Sequence, residues 1–597
     1  MSESFLGVSR SVTGRAWRLR PADESAARDL GLRLGLSEPL ARAIAARGIE
    51  SGGADVFLNP TLKAQFPDPS SFAGMNEAAQ VLLDAFEAEV EIGVFADYDV
   101  DGATSAAQLI RWFRHMGREL SLYIPDRLTE GYGPSPAAFK RMAENGAELV
   151  VTMDCGAAAH DALAAAADMG LPIVVVDHHM MRGAPPPAAA LVNPNRPDCQ
   201  SGQGNLSASG VTFVLLAALN REARARGLFE GRTEPDLRQW LDLAALGAVC
   251  DVTSLTGFTR ALTSQGLKVM SKWANPGLAA LAQIGKASGA ASTFHAGFIL
   301  GPRINAGGRI GRPDLGARLL STDDPQEAAN LAAELDRLNV ERREIEAAVT
   351  EEAARLIERE TNFNPDAPLI IAAADDWHPG VIGIVAGRLR ERYRKPVIVI
   401  GIDRAANVGK GSGRSQPGVN LGLGIQKAFD AGLLMAGGGH PMAAGLTIRP
   451  DLIPDLREFL NEALRVEQTA AAASDAVEID SLISVRSATR ALVEDFTKLA
   501  PFGPGNPEPV IALAGVRAER PMAMKGGHIG LSLADETGAR LRAIAWRAQD
   551  TKLGEMLLSG AGGLSVAGRL KPDDFRGQGG VQLEIEDAAD PRRLEAR

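Results

Sequence analysis

The strongest constraint on the fold of this chain is a series of short apolar segments, each followed at once by an acidic residue. Three of them, residues 91–96, 148–153 and 172–176, have the length and composition of buried strands, and alanine-rich helical stretches separate them. Alternation of strand and helix predicts an α/β fold with a parallel sheet, in which functional residues gather at the carboxyl ends of the strands. The sequence therefore predicts that acidic side chains collect at one edge of a sheet.

These acidic residues are costly to bury without partners, because an unpaired carboxylate loses its hydration. A fourth apolar run, 243–250, also ends at an aspartate, and we expect it to be a further element of the same sheet. Neighbouring parallel strands are about 4.8 Å apart, so carboxylates at adjacent strand ends can share metal ions. Carboxylates with one or two imidazoles are typical ligands of manganese or magnesium. The polar residues at these segment ends are Asp97, Asp99, Asp101, Asp154, Asp177, His178, His179 and Asp251.

The segment 97–102, DYDVDG, leaves two other interpretations open when it is taken alone. It could form a solvated turn or a calcium-binding loop of the D-x-D-x-D-G kind. The EF-hand form of that loop has a glutamate where this chain has Gln108, and the flanking pattern is not that of two helices. The other acidic segment ends favour a catalytic metal site over both alternatives.

The patterns of hydrophobicity and charge divide the chain into five regions. The long helix has opposite charges three or four residues apart, and the short alternating strands of the last region predict a small barrel of the OB-fold type, with a β-sandwich as the alternative. Residues 467–476 have the composition of a linker. The predicted regions are 1–75 (N-terminal segment), 76–324 (α/β domain with the acidic residues), 325–365 (long connecting helix), 366–466 (second α/β domain) and 477–597 (β-barrel).

The composition excludes several classes of protein. A net charge of −11 over 597 residues argues against a protein that coats nucleic acid through bulk positive charge, although a local basic groove is compatible with it. Three cysteines without CxxC spacing exclude a disulfide framework and a cysteine zinc site, and they favour a reducing compartment. We find no apolar run of membrane-spanning length and no secretory signal, so we expect a cytoplasmic protein.

Several motifs along the chain resemble those of one superfamily of hydrolases. DYDVDG, the strand-end Asp154, VVVDHH (174–179) and LGAVCD (246–251), in this order, resemble the DHH phosphoesterase superfamily. The downstream motifs are similar to those of the RecJ family of exonucleases. They are GPRINAGGRIG (301–311), WHPGVIGIVAGRL (377–389), GSGRS (411–415) and GGGHPMAAG (437–445).

The resemblance covers the chain from about residue 70 to the C-terminus and implies both a fold and a function. The fold would be a DHH catalytic domain over 76–324, a DHHA1 domain over 366–466 and an OB-fold over 477–597. The function would be hydrolysis of single-stranded DNA from its 5′ end to 5′-mononucleotides with two Mg²⁺ or Mn²⁺ ions, in DNA recombination and repair. The implied partners are single-stranded DNA, a single-strand-binding protein and a RecQ-type helicase, and not a membrane.

The resemblance also implies a role for each residue of the acidic edge. His179 would face the scissile phosphate, with Asp97 close by, and Asp177 would either orient the imidazoles or cap the next helix. One position departs from the superfamily, which often has a histidine four residues before the aspartate that matches Asp99. Phe95 stands there, and Asp97 is the candidate to replace the missing ligand. The implied metal ligands are Asp99, Asp101, Asp154, His178 and Asp251.

Phosphate-binding groups are implied for the second half of the chain. They lie in glycine-rich segments, where backbone N–H groups can approach an anion closely, and the three glycines at 437–439 would allow a tight turn at a phosphate. Each arginine among them could instead form a salt bridge between domains. The residues are Arg303, Asn305, Arg309, His378, Ser412, Arg414 and His440.

Two other functions are compatible with parts of the sequence. A phosphodiesterase for short oligonucleotides or cyclic dinucleotides would belong to the same superfamily, but such relatives are generally shorter and lack the segment 477–597. A catalytically inactive DNA-binding scaffold would have lost its metal ligands, yet Asp99, Asp101, Asp154, His178 and Asp251 are all present. The sequence therefore favours the exonuclease.

Overall fold

The computed structural model describes residues 4–127, 129–131, 133–181, 183–359, 367–573 and 579–591. The chain forms two compact units. The larger unit contains Phe66–Thr253 and Gln265–Ser474, and the smaller contains the chain up to Gln65, Ser254–Ser264 and the residues from Asp475 onward. A search of the described helices for one that combines the length and the apolar character of a membrane span gives none.

The helices and strands are numbered separately in chain order. The strands are β1 (Ala16–Leu19), β2 (Ile92–Ala96), β3 (Ser121–Tyr123), β4 (Leu149–Met153), β5 (Ile173–Val176), β6 (Ala190–Val192), β7 (Ile370–Asp375), β8 (Val397–Asp403), β9 (Val408–Arg414), β10 (Ala436–His440), β11 (Ala443–Ile448), β12 (Ala476–Ile479), β13 (Ser481–Leu482), β14 (Ile511–Met524), β15 (His528–Ala534), β16 (Arg540–Ala545), β17 (Leu564–Asp573) and β18 (Gly580–Ala589). The helices are α1 (Glu24–Leu34), α2 (Glu38–Ala45), α3 (Ser51–Leu58), α4 (Leu62–Gln65), α5 (Met75–Glu87), α6 (Val100–His115), α7 (Pro136–Glu144), α8 (His160–Asp168), α9 (Ala208–Ala225), α10 (Leu241–Cys250), α11 (Gly257–Met270), α12 (Pro276–Ile284), α13 (Gly301–Ile310), α14 (Leu315–Ser321), α15 (Pro325–Arg359), α16 (Pro379–Tyr393), α17 (Leu421–Asp430), α18 (Ile453–Ser474), α19 (Arg490–Thr497) and α20 (Lys552–Leu558). A π-helical stretch, His295–Leu300, precedes α13.

The first sheet of the larger unit is parallel and has the strand order β3-β2-β4-β5-β6. Strands β2, β4 and β5 are buried along their whole length, as expected for a parallel sheet covered by helices on both faces. The three apolar segments recognised in the sequence form these strands, so the predicted α/β sheet is confirmed.

The second sheet of the larger unit is mixed, with the order β10-β11-β9-β8-β7. Only β7 and β8 pair in parallel among its described strands. The glycine-rich motif at 411–415 lies largely in β9, and the glycines at 437–439 lie in β10, so the tight turn expected there was wrong. Packing explains the glycines of β9: a Cβ on Gly411 would lie 2.7 Å from the side chain of Leu446, so glycine lets the core approach this strand closely.

The long helix α15 connects the two sheets of the larger unit and carries a buried ionic network. It confirms the predicted helix up to Arg359, and residues 360–365 of that prediction lie outside the described part of the chain. Glu346 is only 1% exposed. It pairs with Arg342 on the same helix at 2.7 Å and with Arg388 on α16. Arg342 also donates to Asn339 Oδ1 at 3.0 Å. This network fixes α16 against α15.

We expect Glu346→Gln to lower the free energy of unfolding by about 3–5 kcal/mol, because it leaves two guanidinium groups around a buried site without their counter-charge. Glu358 provides a matched control, since it joins the same two helices through Arg392 at 2.6 Å but both side chains are about half exposed. Glu358→Gln should change stability by less than about 1 kcal/mol. Urea denaturation of the two variants measures the difference, and equal losses would contradict a special role for Glu346.

The smaller unit contains a five-stranded barrel with the order β14-β15-β16-β18-β17, closed by pairing of β14 with β17, and the short strand β13 pairs with β14 beside it. The predicted OB-type barrel is therefore confirmed. The N-terminal residues belong to the same unit: β1 pairs in parallel with β12, and Trp17 is fully buried and donates through Nε1 to Asp587 Oδ2 at 3.0 Å. No local sequence signal indicated this pairing.

The predicted linker at 467–476 was wrong. Helix α18 continues to Ser474, because the alanines of this segment are strong helix formers. Ala471 is buried in the core of the second sheet, and Gln468 accepts a hydrogen bond from Gln416 Nε2 at 2.9 Å. The segment therefore packs on the second α/β domain.

Candidate active site

The register of the first sheet brings three aspartates to one edge. Ala96 lies opposite Met153, which lies opposite Val176, so β2, β4 and β5 end level with one another. The residue after each strand is a buried aspartate, and these are Asp97, Asp154 and Asp177. Asp154 leaves its strand with a left-handed backbone (φ 63°), a conformation that is uncommon for residues other than glycine and that occurs at functional sites.

The motif DYDVDG forms the turn from β2 into α6. Asp99 is the N-cap of α6, and its Oδ1 accepts hydrogen bonds from the backbone N–H groups of Asp101 (2.9 Å) and Gly102 (3.2 Å). Gly102 is required by close packing, because a Cβ there would lie 2.3 Å from the carbonyl oxygen of Asp97. The turn therefore places three carboxylates next to the sheet edge.

Two further helices converge on Asp101. Its Oδ2 accepts from the backbone N–H of Ala208 at 2.6 Å and its Oδ1 from that of Ser209 at 3.0 Å, both in the first turn of α9. Helix α10 comes equally close, because a Cβ on Gly247 would lie 2.5 Å from Asp101 Oδ1. Asp101 is thus held rigidly and is 1% exposed.

Asp251 reaches the site from a helix and not from a strand. The apolar run 243–250 lies in α10, and Asp251 is the residue that ends this helix. The expectation of a fourth sheet element was therefore wrong, because an entirely apolar run of this length suits a buried helix as well as a buried strand. The carboxylate nevertheless arrives beside the others.

His178 lies at the centre of the cluster. Its Nε2 is 3.2 Å from Asp154 Oδ1, 3.7 Å from Asp251 Oδ2 and 3.8 Å from Asp101 Oδ2. Among the described residues neither this Nε2 nor Asp154 Oδ1 makes a hydrogen bond, although both atoms are buried. Buried polar atoms normally have partners, so this donor set fits a divalent cation.

The ligand atoms that lie within 4.8 Å of one another form three overlapping groups. Overlapping groups at this spacing suit two neighbouring ions of the kind that clamp phosphoryl oxygens. The groups are Asp154 with His178 and His179, Asp101 with His178 and Asp251, and Asp97 with Asp99 and Asp154.

The electrostatics of the cluster also favour a cation. Burial raises the pKa of Asp97 to about 7, and the charge of Asp99 adds to this effect. Burial and the charges of Asp101 and Asp99 raise the pKa of Asp251 to about 8. Burial and its acidic neighbours hold the pKa of Asp154 well above its usual range. Bound cations would offset this repulsion and keep the carboxylates ionised.

Asp177 holds the imidazole of His179. Its Oδ1 is 2.7 Å from His179 Nδ1 and accepts from the backbone N–H groups of His178 and His179, while its Oδ2 accepts from Ala157 N at 2.9 Å. Burial opposes ionisation of Asp177, but its hydrogen bonds and the charge of His179 lower its pKa to about 2. Burial likewise opposes the charge on His179, but Asp177 raises its pKa to about 9. Since β6 is the next element, Asp177 caps no following helix.

Two asparagines that the sequence analysis missed fix the backbone of the two histidines. Asn193 donates through Nδ2 to the carbonyl of His179 at 2.9 Å, and Asn195 donates to that of His178 at 2.6 Å. Asn193 directly follows β6, whose Val192 lies opposite Val176. An asparagine after a short apolar segment was the signal that could have indicated it.

A basic pocket of about 430 Å³ lies next to the acidic edge. Tyr98, between two of the clustered aspartates, lines it together with the helix ends of α13 and α16 and strands β9 to β11. Its basic residues are Arg127, Arg309, Lys410 and Arg414.

The pocket arginines have the environment of an anion site. Burial lowers the pKa of Arg414, and the charges of Arg309 and Arg127 add to this effect. Arg414 donates to Ser412 Oγ at 3.1 Å, and Arg309 donates to the carbonyl of Gly380 at 3.1 Å. Within the described part of the chain neither Arg309 nor Arg414 pairs with a carboxylate. The excess positive charge suits a phosphate, which accepts bidentate hydrogen bonds from arginine.

The structure brings together only some of the residues predicted to bind phosphate. Arg309, Ser412 and Arg414 line the pocket. Arg303 instead pairs with Asp336 on α15 at 2.8 Å. The other three predicted residues do not line the pocket: Asn305 lies in α13, His378 caps α16 by accepting from Gly380 N, and His440 ends β10.

Three family models match successive parts of this chain. The model of the DHH family N-terminal domain matches residues 91–248, that of the DHHA1 domain 366–466 and that of the RecJ OB domain 479–587. The single-stranded-DNA-specific exonuclease RecJ of Salmonella typhimurium is 33% identical over 96% of this chain and 99% of its own length. The chain belongs to the RecJ family. The RecJ of Bacillus subtilis is also 33% identical, over 96% of this chain and 70% of its own length.

A solved RecJ structure has the same fold. The RecJ of Thermus thermophilus in complex with Mn²⁺ superposes with a TM-score of 0.78 at 29% identity, covering 96% of this chain and 79% of that chain. The residue that departs from the superfamily, Phe95, is fully buried in β2 of this RecJ-family chain and packs on Tyr123 and Phe139 with ring centroids 5.7 and 5.9 Å apart. Asp97, two residues later, lies in one of the three ligand groups.

Proposed function

We propose that this chain is a metal-dependent exonuclease that degrades single-stranded DNA from the 5′ end and releases 5′-mononucleotides. The observation that carries the proposal is a pair of buried atoms, Asp154 Oδ1 and His178 Nε2, that make no hydrogen bond to any described residue and lie among carboxylates beside a basic pocket. Membership of the RecJ family supports the same substrate and a role in DNA recombination and repair.

Two divalent ions, Mg²⁺ or Mn²⁺, would be held by Asp99, Asp101, Asp154, His178 and Asp251, with Asp97 as a further oxygen ligand. When bound, such ions lower the pKa of water and stabilise charge on a phosphoryl group. The residues of the chain fix the geometry: α9 orients the carboxylate of Asp101, and Asn195 holds the backbone of His178. Solved RecJ structures with Mn²⁺ and Mg²⁺ support this choice of metal.

His179 would donate a hydrogen bond to the scissile phosphate as charge builds on its oxygens. Asp177 fixes the ring of His179 through Nδ1, and Nε2 would make the contact with the substrate. Arg309, Ser412 and Arg414 would hold the phosphate group at the 5′ side of the strand. A pocket of about 430 Å³ has the size of a small-molecule site, which suits a nucleotide.

The proposal is tested with single strands labelled at either the 5′ or the 3′ end, in Mg²⁺, Mn²⁺ or EDTA. We expect a 5′ label to appear at once as a mononucleotide, a 3′ label to remain in long products until late, and neither reaction to occur in EDTA. A duplex with blunt ends should be degraded poorly. Release of mononucleotides from the 3′ end, or activity in EDTA, would contradict the proposal.

Arg414→Ala should weaken the binding of single strands of any sequence and make the dependence of log Kd on log salt shallower by about one unit, because one phosphate contact is lost. Arg404 is the matched control: it lies in the same domain, is 79% exposed and pairs with Asp375. Arg404→Ala should leave the salt dependence unchanged. Binding titrations at several salt concentrations measure both slopes, and an unchanged slope in Arg414→Ala would assign that residue a structural role.

In the cell, we propose that the unpaired strands come from a RecQ-type helicase and from complexes with single-strand-binding protein, since those proteins generate or hold the form of DNA that this enzyme consumes. None of the three cysteines forms a disulfide, which is compatible with action on DNA in the cytoplasm.

A further inference from the structure

We infer that Gln108 and Ser209 are positioning residues for the hydrolysis, an inference that rests on the proposed function. They fix the first turn of α9, so that its N–H groups hold the carboxylate of Asp101 at the metal cluster. Both side chains are fully buried, and in the described part of the chain neither belongs to a ligand group or lines the phosphate pocket. They act through Asp101, whose two carboxylate oxygens accept hydrogen bonds from the backbone N–H groups of Ala208 and Ser209.

Gln108 joins α6 to α9 behind Asp101. Its Nε2 donates to the carbonyl oxygen of Ser209 at 3.1 Å and to that of Thr104, on its own helix, at 3.3 Å. These neighbours fix the orientation of the amide group, because a carbonyl oxygen accepts hydrogen bonds and cannot donate them. Ser209 is therefore held through its carbonyl by Gln108 and through its N–H by Asp101.

The hydroxyl group of Ser209 joins α9 to α10, the helix that delivers another proposed ligand. It donates to the carbonyl of Ala244 at 3.2 Å. Because this uses its one proton, it accepts from the hydroxyl of Ser207, which lies 2.8 Å away. A Cβ on Gly247 would lie 2.1 Å from Ser209 Oγ and 2.5 Å from Asp101 Oδ1, so α10 packs directly on both oxygens. The network thus connects the three helices that converge on the cluster.

Stability alone does not account for a glutamine at position 108. Its Oε1 is buried and makes no hydrogen bond to any described residue. An apolar side chain of similar size would avoid the cost of removing this oxygen from water. Gln108 lies seven residues, or two helical turns, after Asp101 and therefore on the same side of α6. Groups that orient the ligands of a metal from behind commonly change metal affinity by 10–100-fold when they are removed.

The test measures the affinity of the full chain for Mn²⁺ by calorimetry, without DNA, in the wild type and in Gln108→Met. Methionine keeps the length of the side chain but cannot donate to α9. The Kd for Mn²⁺ should rise about tenfold or more. The melting temperature in EDTA should change little, because the buried oxygen without a partner is lost together with the hydrogen bond. The Kd for single strands in EDTA should stay unchanged, since the phosphate pocket is intact.

Asn220 provides the matched control, because it is a second buried amide that joins α9 to α6, three turns farther along α9. It accepts from Trp112 Nε1 at 2.8 Å. Asn220→Leu should lower the melting temperature, since it leaves the indole N–H without its partner, but it should keep the wild-type affinity for Mn²⁺. A structural role of Gln108 would give the same pattern in Gln108→Met.

Ser209→Ala keeps the test decisive if Gln108→Met does not fold, because alanine retains the N–H that Asp101 accepts and is a good helix former. It should also raise the Kd for Mn²⁺, and together with Gln108→Met the increase should be smaller than the product of the two factors, since both residues act in one network. Wild-type affinity for Mn²⁺ in the single variants, or an equal loss in Asn220→Leu, would overturn the inference. Binding of Mn²⁺ by the wild-type chain without degradation of single strands would instead refute the proposed function, and the metal affinities would still decide the role of Gln108.

Discussion

Asp154→Asn should reduce metal-dependent degradation of single-stranded DNA by about a thousandfold or more, because it weakens a ligand that lies in two of the three groups at the sheet edge. In the absence of metal, the same substitution should not destabilise the folded protein. Burial and the neighbouring carboxylates hold the pKa of Asp154 well above its usual range, so a neutral amide relieves repulsion there. The melting temperature in EDTA should therefore stay equal or rise.

Metal ions stabilise a folded protein in proportion to their affinity for it, so the rise in melting temperature on adding Mn²⁺ should be smaller in Asp154→Asn than in the wild-type chain. Asp161→Asn is the matched control, since Asp161 is an exposed acid in the first turn of α8 in the same domain. It should keep both the activity and the metal-induced rise. Substantial activity of Asp154→Asn in Mn²⁺, together with a full metal-induced rise in melting temperature, would show that Asp154 is not a metal ligand.

The sheet edge was predictable because short apolar segments that alternate with helices are typical of a parallel sheet. Burial on both faces fixes the strands, and the register then sets the residues after Ala96, Met153 and Val176 level with one another. The prediction of the strands and the prediction of their register both require no knowledge of contacts between side chains that are distant in sequence. The predicted positions of Asp97, Asp154 and Asp177 therefore followed from local sequence alone.

The helix α10 shows where local sequence stopped being informative. A run of apolar residues bounded by polar ones has no periodicity that separates a buried strand from a buried helix. Its alanines and leucines, rather than β-branched residues, were the available signal for a helix. Asp251 was still identified as part of the site, because a strand and a helix over this run would both end just before Asp251.

The smaller features of the site depended on tertiary structure. Gly411 lies in a segment whose glycines suggest close approach to an anion. A glycine is required at this position because Leu446 packs against it from the neighbouring strand. Arg303 and Arg309 lie on the same helix and in the same motif. Arg303 pairs with Asp336 and Arg309 lines the pocket, because the two side chains leave the helix in different directions.

The second large effect is expected for His179→Ala, which should lower kcat by about 10²–10³ while the Kd for single strands changes little. This is the range for removing one preorganised donor to developing charge. The geometry supports such a donor: Nδ1 of His179 is committed to Asp177 at 2.7 Å, and the side chain is 39% exposed whereas that of His178 is 13% exposed. The deeper imidazole suits a ligand and the more open one suits contact with substrate.

Asp177→Asn separates positioning from direct action. An asparagine keeps an oxygen acceptor for the backbone N–H groups of His178 and His179, but it loses the acceptor for Ala157 N and weakens the hold on the imidazole. The kcat should therefore fall by about 10–100-fold, less than in His179→Ala. Steady-state kinetics give kcat and KM, and melting curves with and without Mn²⁺ report the metal. If His179→Ala loses the metal-induced rise in melting temperature together with its activity, His179 is itself a ligand, as its place in a group with Asp154 and His178 allows. If the metal-induced rise in melting temperature is retained while kcat falls by the expected factor, the metal is still bound, and the role of His179 is stabilisation of the transition state.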